Sequence, residues 1–162
     1  MLMSPALLDA FARDDRDAIA RLAPYSVPAE FPGDAIGLIR FRREQLASDP
    51  TRAPWLLRAI VRRSDARMVG YVNFHGPPGV NDTGTRDAVE LGWTVFREDQ
   101  RQGYATETAT ALMEWAAREH HIDHFISSTT EDNAASLRVH EKLGFRRTGE
   151  IVDGEVIFEL RR

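Results

Sequence analysis

Residues 96–109 read FREDQRQGYATETA, and the run has the makings of an anion site. A helix start leaves four backbone N–H groups unpaired and carries the positive end of the helix dipole. Gly103 and Ala105 keep side chains short where a diphosphate must approach the backbone, Thr106 adds a hydroxyl donor, and Arg101 brings positive charge to the mouth. The turn from Gln100 to Thr106 is therefore a candidate diphosphate cradle. It is not a P-loop, because GxxxxGK[ST] is absent and no lysine lies near it, and it is not GxGxxG. On spacing alone, the same residues also fit a plain helix start with two small residues for packing.

A second constellation is DNAASLRVHEKLGF, residues 132–145. On a helix of 3.6 residues per turn, Asn133, Ser136 and His140 fall within an arc of about 60°, which suggests one polar wall of a groove. Ala135, Val139 and Leu143 form a separate apolar stripe, read here as the core-facing one. Singly, Asn133 also suits an ordinary N-cap, Ser136 a filler and His140 a surface residue.

The elements that must carry these segments are legible from capping, period and turn chemistry. Ser4 and Pro5 open a short helix to about Ala12, and a second helix spans Asp15 to Ala23. Asp34 is the expected cap of a third helix, with Ile36, Ile39 and Leu46 facing inward and Pro50 ending it. Trp55–Val61 and Met68–Phe74 read as strands about a turn at Ser64–Asp65, and the loop HGPPGVNDTGTRD leads to a third strand at Val89–Phe96. Gly103 to about His120 is the clearest helix, with Ala105, Ala109, Leu112, Met113 and Ala116 on one stripe. A strand at Phe125–Thr130, a helix at Asn133–Leu143 stopped by Gly144, and two strands joined by Asp153–Gly154 complete the order. Helices, a three-strand antiparallel meander, a helix, a strand, a helix and a hairpin make a mixed α/β arrangement in a single domain, residues 1–162.

Composition bounds the rest. The chain has 162 residues, a formal net charge of -4 and a pI near 5.7, which argues against general nucleic-acid binding. There is no cysteine, so disulfides, thiolate metal sites and a cysteine acyl-enzyme are excluded. The start MLMSPALLDAFARDD lacks the pattern of a signal peptide, and no apolar run approaches the roughly 20 residues of a membrane span. The expected compartment is the cytoplasm, with no membrane partner.

Taken together, the two segments resemble motifs of the GNAT superfamily of acyl-CoA N-acyltransferases. Gln100-Arg101-Gln102-Gly103-Tyr104-Ala105 matches its Q/R-x-x-G-x-G/A pyrophosphate loop, and Asn133-x-x-Ser136 with Glu141-Lys142-Leu143-Gly144-Phe145 is similar to its second CoA-binding segment. GYATET and NAASLRVHEKLGF are most similar to the branch that includes ribosomal-protein alanine N-acetyltransferases. The resemblance is specific from about Met68 to Phe145.

The resemblance implies a twisted, mostly antiparallel sheet of about six strands, splayed at the acyl-CoA site, with helices on both faces. It implies acetyl-CoA as donor and a direct attack by a primary amine, on a small molecule or a protein N-terminus, with no metal. Pantetheine would pair with the backbone of Trp93, Thr94 and Val95. Arg101 to Thr106 would hold the diphosphate, with Tyr104 packing or facing the adenine, and Asn133 and Ser136 would touch the pantetheine or the far side of CoA. Glu90, ten residues before Gln100, is the implied general base, acting through water. His140 stands seven residues after the motif asparagine, where many relatives place a tyrosine that protonates the leaving thiolate, so it is the candidate acid. Trp55, Phe74, His75 and the loop Gly76–Thr85 are candidate lining groups of the acceptor site. The family's first strand is expected to be missing or very short, and the closing hairpin offers an edge for a homodimer. A non-catalytic module that binds or senses acyl-CoA is the alternative, and a longer acyl donor stays open.

Overall fold

The computed structural model describes residues 1–162, which divide into two compact units, Met1–Tyr71 and Val72–Arg162. The first is mainly helical. In α1 (Pro5–Ala12), Ser4 Oγ accepts from the Leu7 N–H at 3.2 Å, and Pro5 sits where a helix has no N–H to lose. Asp15 caps α2 (Arg16–Leu22) in the same way, accepting from the Ala18 N–H at 2.9 Å. Phe11 and Phe31 meet edge to face at 4.9 Å within the core of this unit.

Two expectations fail in this unit. Asp34 does not cap α3 (Ile36–Ser48), because a 3₁₀ turn at Gly33–Ala35 runs directly into it and no side chain bonds its first turn. Ile39 and Leu46 are buried as their spacing requires, while Ile36 is half-buried. Trp55 does not begin a strand. Asp49 caps a second 3₁₀ turn, Pro50–Trp55, and the strand β1 starts only at Arg58 and runs to Arg62. The very short first strand is seen as one antiparallel bridge between Leu2 and Arg58, with Met3 N–H donating to Leu57 O at 2.9 Å. Pro5, which begins α1 three residues on, leaves it no room to lengthen.

β2 (Arg67–Phe74) runs through the unit boundary. Beyond it come β3 (Ala88–Val95), α4 (Tyr104–His120), β4 (His124–Thr129), α5 (Ala134–Leu143), β5 (Arg146–Val152) and β6 (Glu155–Arg161). The fold is mixed α/β with a six-stranded, mostly antiparallel sheet in the order β1-β2-β3-β4-β6-β5. β3 and β4 are the parallel pair, as a connection through a helix requires. β5 and β6 are antiparallel, and their turn has Asp153 at φ 50° and Gly154 at φ 85°, the pair of left-handed residues of a type I′ hairpin. α4 buries Ala109, Leu112, Met113 and Ala116, and the stacked rings of Phe74 and Phe125 lie 6.4 Å apart. No helix is long and apolar enough to cross a membrane.

Candidate active site: an anion cradle, a splayed strand and an acidic chamber

β3 begins as an ordinary sheet strand and does not end as one. Its register with β4 covers only Ala88–Glu90 against His124–Ile126. β4 stays paired with β6 as far as Thr129, whereas β3 continues alone to Val95 on the side facing β4. The backbone of Trp93, Thr94 and Val95 is thus left with an open edge, the kind that accepts an added strand.

The chain then turns sharply. Gln100 Nε2 donates to the carbonyl of Val95 at 3.1 Å, tying the loop back to the strand end. Arg101 and Gly103 adopt positive φ, 62° and 89°. For glycine this costs little, whereas an L residue pays about 1–2 kcal/mol. α4 starts at Tyr104, and its first i→i−4 bond runs from Glu107 N–H to Gly103 O at 3.0 Å. The amides of Tyr104, Ala105 and Thr106 precede that bond, so they are donors at the positive end of a 17-residue helix. A Cβ built on Gly103 would meet nothing within 4 Å, so the space beside it is open to a ligand.

A groove of about 360 Å³ links these parts. Trp93, Thr94, Val95, Arg101, Gly103, Tyr104, Ala105 and Thr106 bound it on one side, and Asn133 and Ser136 on α5 bound it on the other. Gln102 does not border it. Two cations that sequence reasoning passed over do: Arg138 and Lys142, both exposed. Their i, i+4 spacing on α5 was the available signal, since it stacks both on one helix face.

α5 is oriented differently from the expected polar wall. Asn133 Oδ1 caps it, accepting from the Ser136 N–H at 3.1 Å, and Gly144 closes it at φ 83°. Ala135 and Val139, read as core-facing, border the groove instead. His140 points the other way and is fully buried, with 0% exposure. Its ring stacks on Phe158 at 4.2 Å, meets Phe145 edge-on, and lies under Trp93 at 4.9 Å. Nδ1 lies 2.9 Å from the Ser136 carbonyl, which can only accept, so Nδ1 carries the proton and Nε2 accepts from the Ser127 hydroxyl at 2.9 Å. Burial lowers its pKa to about 4, so the ring is neutral at neutral pH. This corrects the candidate general acid: the one proton of His140 is held by a helix carbonyl inside the core.

On the far side of Trp93 a second cavity, of about 380 Å³, opens between β3 and β4. It shares Trp93, Asn133 and Ser136 with the groove and adds His75, Asp82 and Glu155. Glu90 stands behind this wall with 1% exposure. Its Oε2 accepts from the Asp82 N–H at 2.7 Å and lies 3.3 Å from His75 Nδ1. Burial alone would push the Glu90 carboxyl up, but His75 and the Asp82 amide outweigh it and hold it below its ordinary range. Burial and the nearby Glu90 charge push Asp82 up.

The loop carrying His75 and Asp82 is built to hold them. Asn81 Nδ2 donates to the carbonyls of Thr85 and Ala88 at 2.7 and 3.1 Å, and its Oδ1 accepts from the Thr85 N–H at 2.9 Å. Gly76 is required by close approach, since a Cβ there would meet Val80 Cγ1 at 2.7 Å. Of the expected acceptor-lining groups, His75 and Asp82 face the chamber. Trp55 and Phe74 do not, because both are core residues with 7% and 0% exposure.

Comparison with known proteins accords with this geometry. The acetyltransferase (GNAT) domain family matches residues 5–146. The chain is 30% identical over 140 residues to the uncharacterized N-acetyltransferase YjdG of Bacillus subtilis, covering 86% of this chain and 80% of that protein. Its fold is similar to that of the ribosomal-protein-S5-alanine acetyltransferase of Vibrio fischeri, with a TM-score of 0.66 at 16% identity over 99% of this chain and 91% of the other. It is similar also to the microcin C7 self-immunity acetyltransferase MccE solved with acetyl-CoA and AMP, with a TM-score of 0.63 at 14% identity over 100% and 91%. With a family match across most of its length, the chain belongs to the GNAT family of acetyltransferases.

Proposed function

We propose that this protein moves the acetyl group of acetyl-CoA onto a primary amine by direct attack within a ternary complex. The observation that carries the reading is the early end of β3–β4 pairing at Glu90, with the freed strand running into the helix start at Gly103. The diphosphate sits at the amides of Tyr104, Ala105 and Thr106, with Arg101, Arg138 and Lys142 around the groove mouth. Pantetheine lies along Trp93–Val95 as an added strand, flanked by Asn133 and Ser136, and a backbone N–H of this segment polarises the thioester carbonyl.

The acceptor amine enters by the chamber lined by His75, Asp82 and Glu155. A primary alkyl amine is mostly protonated at neutral pH, since its pKa is about 10.4, and the acidic chamber suits that cation. Removal of its proton is the task of the Glu90 side of the site. The leaving thiolate departs unassisted, because a thiol with a pKa of about 8.5 is a tolerable leaving group and His140 has no access to it.

The test is a calorimetric titration with acetyl-CoA, followed by thiol release from acetyl-CoA across an amine panel. Peptides beginning with Ala or Ser, spermidine, free amino acids and an aminoglycoside cover the acceptor classes. Donor binding with turnover of at least one amine is expected. Binding with no thiol release from any amine would identify a non-catalytic acyl-CoA module, and no binding would overturn the donor site.

A further inference from the structure

The chamber contains a base arrangement that a lone glutamate does not describe. We propose that His75 Nε2 is the atom that takes the proton from the acceptor amine, and that Glu90 is the positioning residue that holds the imidazole. The inference rests on the acetyltransferase reading and deepens it.

Three observations carry it. First, His75 Nδ1 lies 3.3 Å from Glu90 Oε2 and 3.8 Å from Asp82 Oδ1. Carboxylates accept, so the neutral ring keeps its proton on Nδ1 and Nε2 becomes the basic nitrogen. Second, Nε2 lies over β3 at Gly92, only 3.7 Å from where a Cβ on that residue would be. A donor whose diphosphate is at Gly103–Thr106 and whose pantetheine passes Val95, Thr94 and Trp93 in turn brings its thioester to this end of the strand. Third, His75 faces the chamber and is about 29% exposed, whereas Glu90 is behind the wall at 1%. The buried carboxylate is placed to act on the ring, and the ring is placed to act on the amine.

The charged groups around the imidazole are Glu90 on β3, Asp82 on the loop and, across the chamber, Glu155 at the start of β6. All three are acids. The ammonium gives one proton to Nε2, which passes it to solvent. The amine lone pair then forms the C–N bond, the C–S bond breaks with its electron pair on sulfur, and the second proton lost by nitrogen ends on the CoA thiolate or in water.

The experiment combines kinetics with NMR on the full chain. His75→Ala and His75→Gln are assayed with acetyl-CoA and the most active amine of the panel, alongside calorimetry with acetyl-CoA alone. A base contributes about 10²–10⁴-fold, so both variants should lose that much in kcat/KM while keeping the wild-type Kd for acetyl-CoA, and added imidazole should restore part of the His75→Ala rate. Glu90→Gln should lose less in kcat/KM and should populate the Nε2–H tautomer of His75 in the variant, because the amide NH2 can donate to Nδ1. Long-range ¹H–¹⁵N spectra should show His75 as the Nδ1–H tautomer in the wild type, a readout that needs no acceptor. Full turnover in both His75 variants, an Nε2–H tautomer in the wild type, or loss of turnover in Glu90→Gln alone would overturn the proposal. A wild type that fails to bind acetyl-CoA would instead strike the donor-site reading.

Discussion

Acidifying the protein from pH 7 to pH 5 should destabilise it through His140, and the size of the effect follows from its surroundings. The ring is fully buried among Trp93, Phe145 and Phe158, with its polar atoms used by Ser136 and Ser127 and no charged partner among these contacts. Its folded pKa is lowered to about 4, below the ordinary value of about 6.5 that holds in the unfolded chain. Between these two values the unfolded state binds more protons, so stability rises with pH across that window and is lost as pH falls through it. At 1.36 kcal/mol per unit, the loss reaches about 2 kcal/mol at pH 5 and about 3 kcal/mol near pH 4. Carboxylates held below their ordinary range, such as Glu90, add their loss only at still lower pH, as pH falls through their folded values. The assay is urea unfolding of the wild type and His140→Gln at several pH values from 7.5 to 5. Gln keeps a donor and an acceptor but does not titrate, so the variant pays a constant cost and its stability should be flatter by about 2 kcal/mol over this range. Parallel curves for the two proteins would refute the buried neutral imidazole.

At the cradle, Gly103→Glu should abolish acetyl-CoA binding by calorimetry, because a carboxylate would occupy the open space at the helix start; unchanged affinity would remove the cradle assignment. Asn133 has two separable roles. Asn133→Asp should keep the thermal midpoint, since Asp caps as well as Asn, but weaken acetyl-CoA binding, while Asn133→Ala should lose both and cost about 1 kcal/mol. If Asp were neutral for affinity, Asn133 would be a cap only. The ligand atoms of His75, Asp82 and Glu90 lie within 4.8 Å of one another, so metal dependence is worth measuring. Acyl transfer by the proposed route needs no cation, and turnover should be unchanged by EDTA.

The sequence by itself determined what depends on neighbours along the chain. Ser4 as a cap, Gly144 at a left-handed position and the Asp153–Gly154 turn were all readable because each is a backbone requirement met by one residue type at a fixed offset. The cradle and the cap of α5 belong to this class, and the family motifs are made of such residues. What failed locally failed for a local reason, as where Pro50 and Pro54 favour a 3₁₀ turn over a strand start at Trp55. Tertiary structure alone decided which face of α5 is buried. The 3.6-residue period places Asn133, Ser136 and His140 together, but it does not say which side of the helix meets β4 and β6; Ser127 and Phe158 do, and they take His140 inward. It likewise decided that His75 and Glu90 meet, because 15 residues of loop and strand separate them in the chain and only the backbone bond from His75 N–H to Glu90 O, at 2.8 Å, brings them level. Periodicity ranks residues by face. Packing between elements chooses the face, and that choice assigns the chemistry.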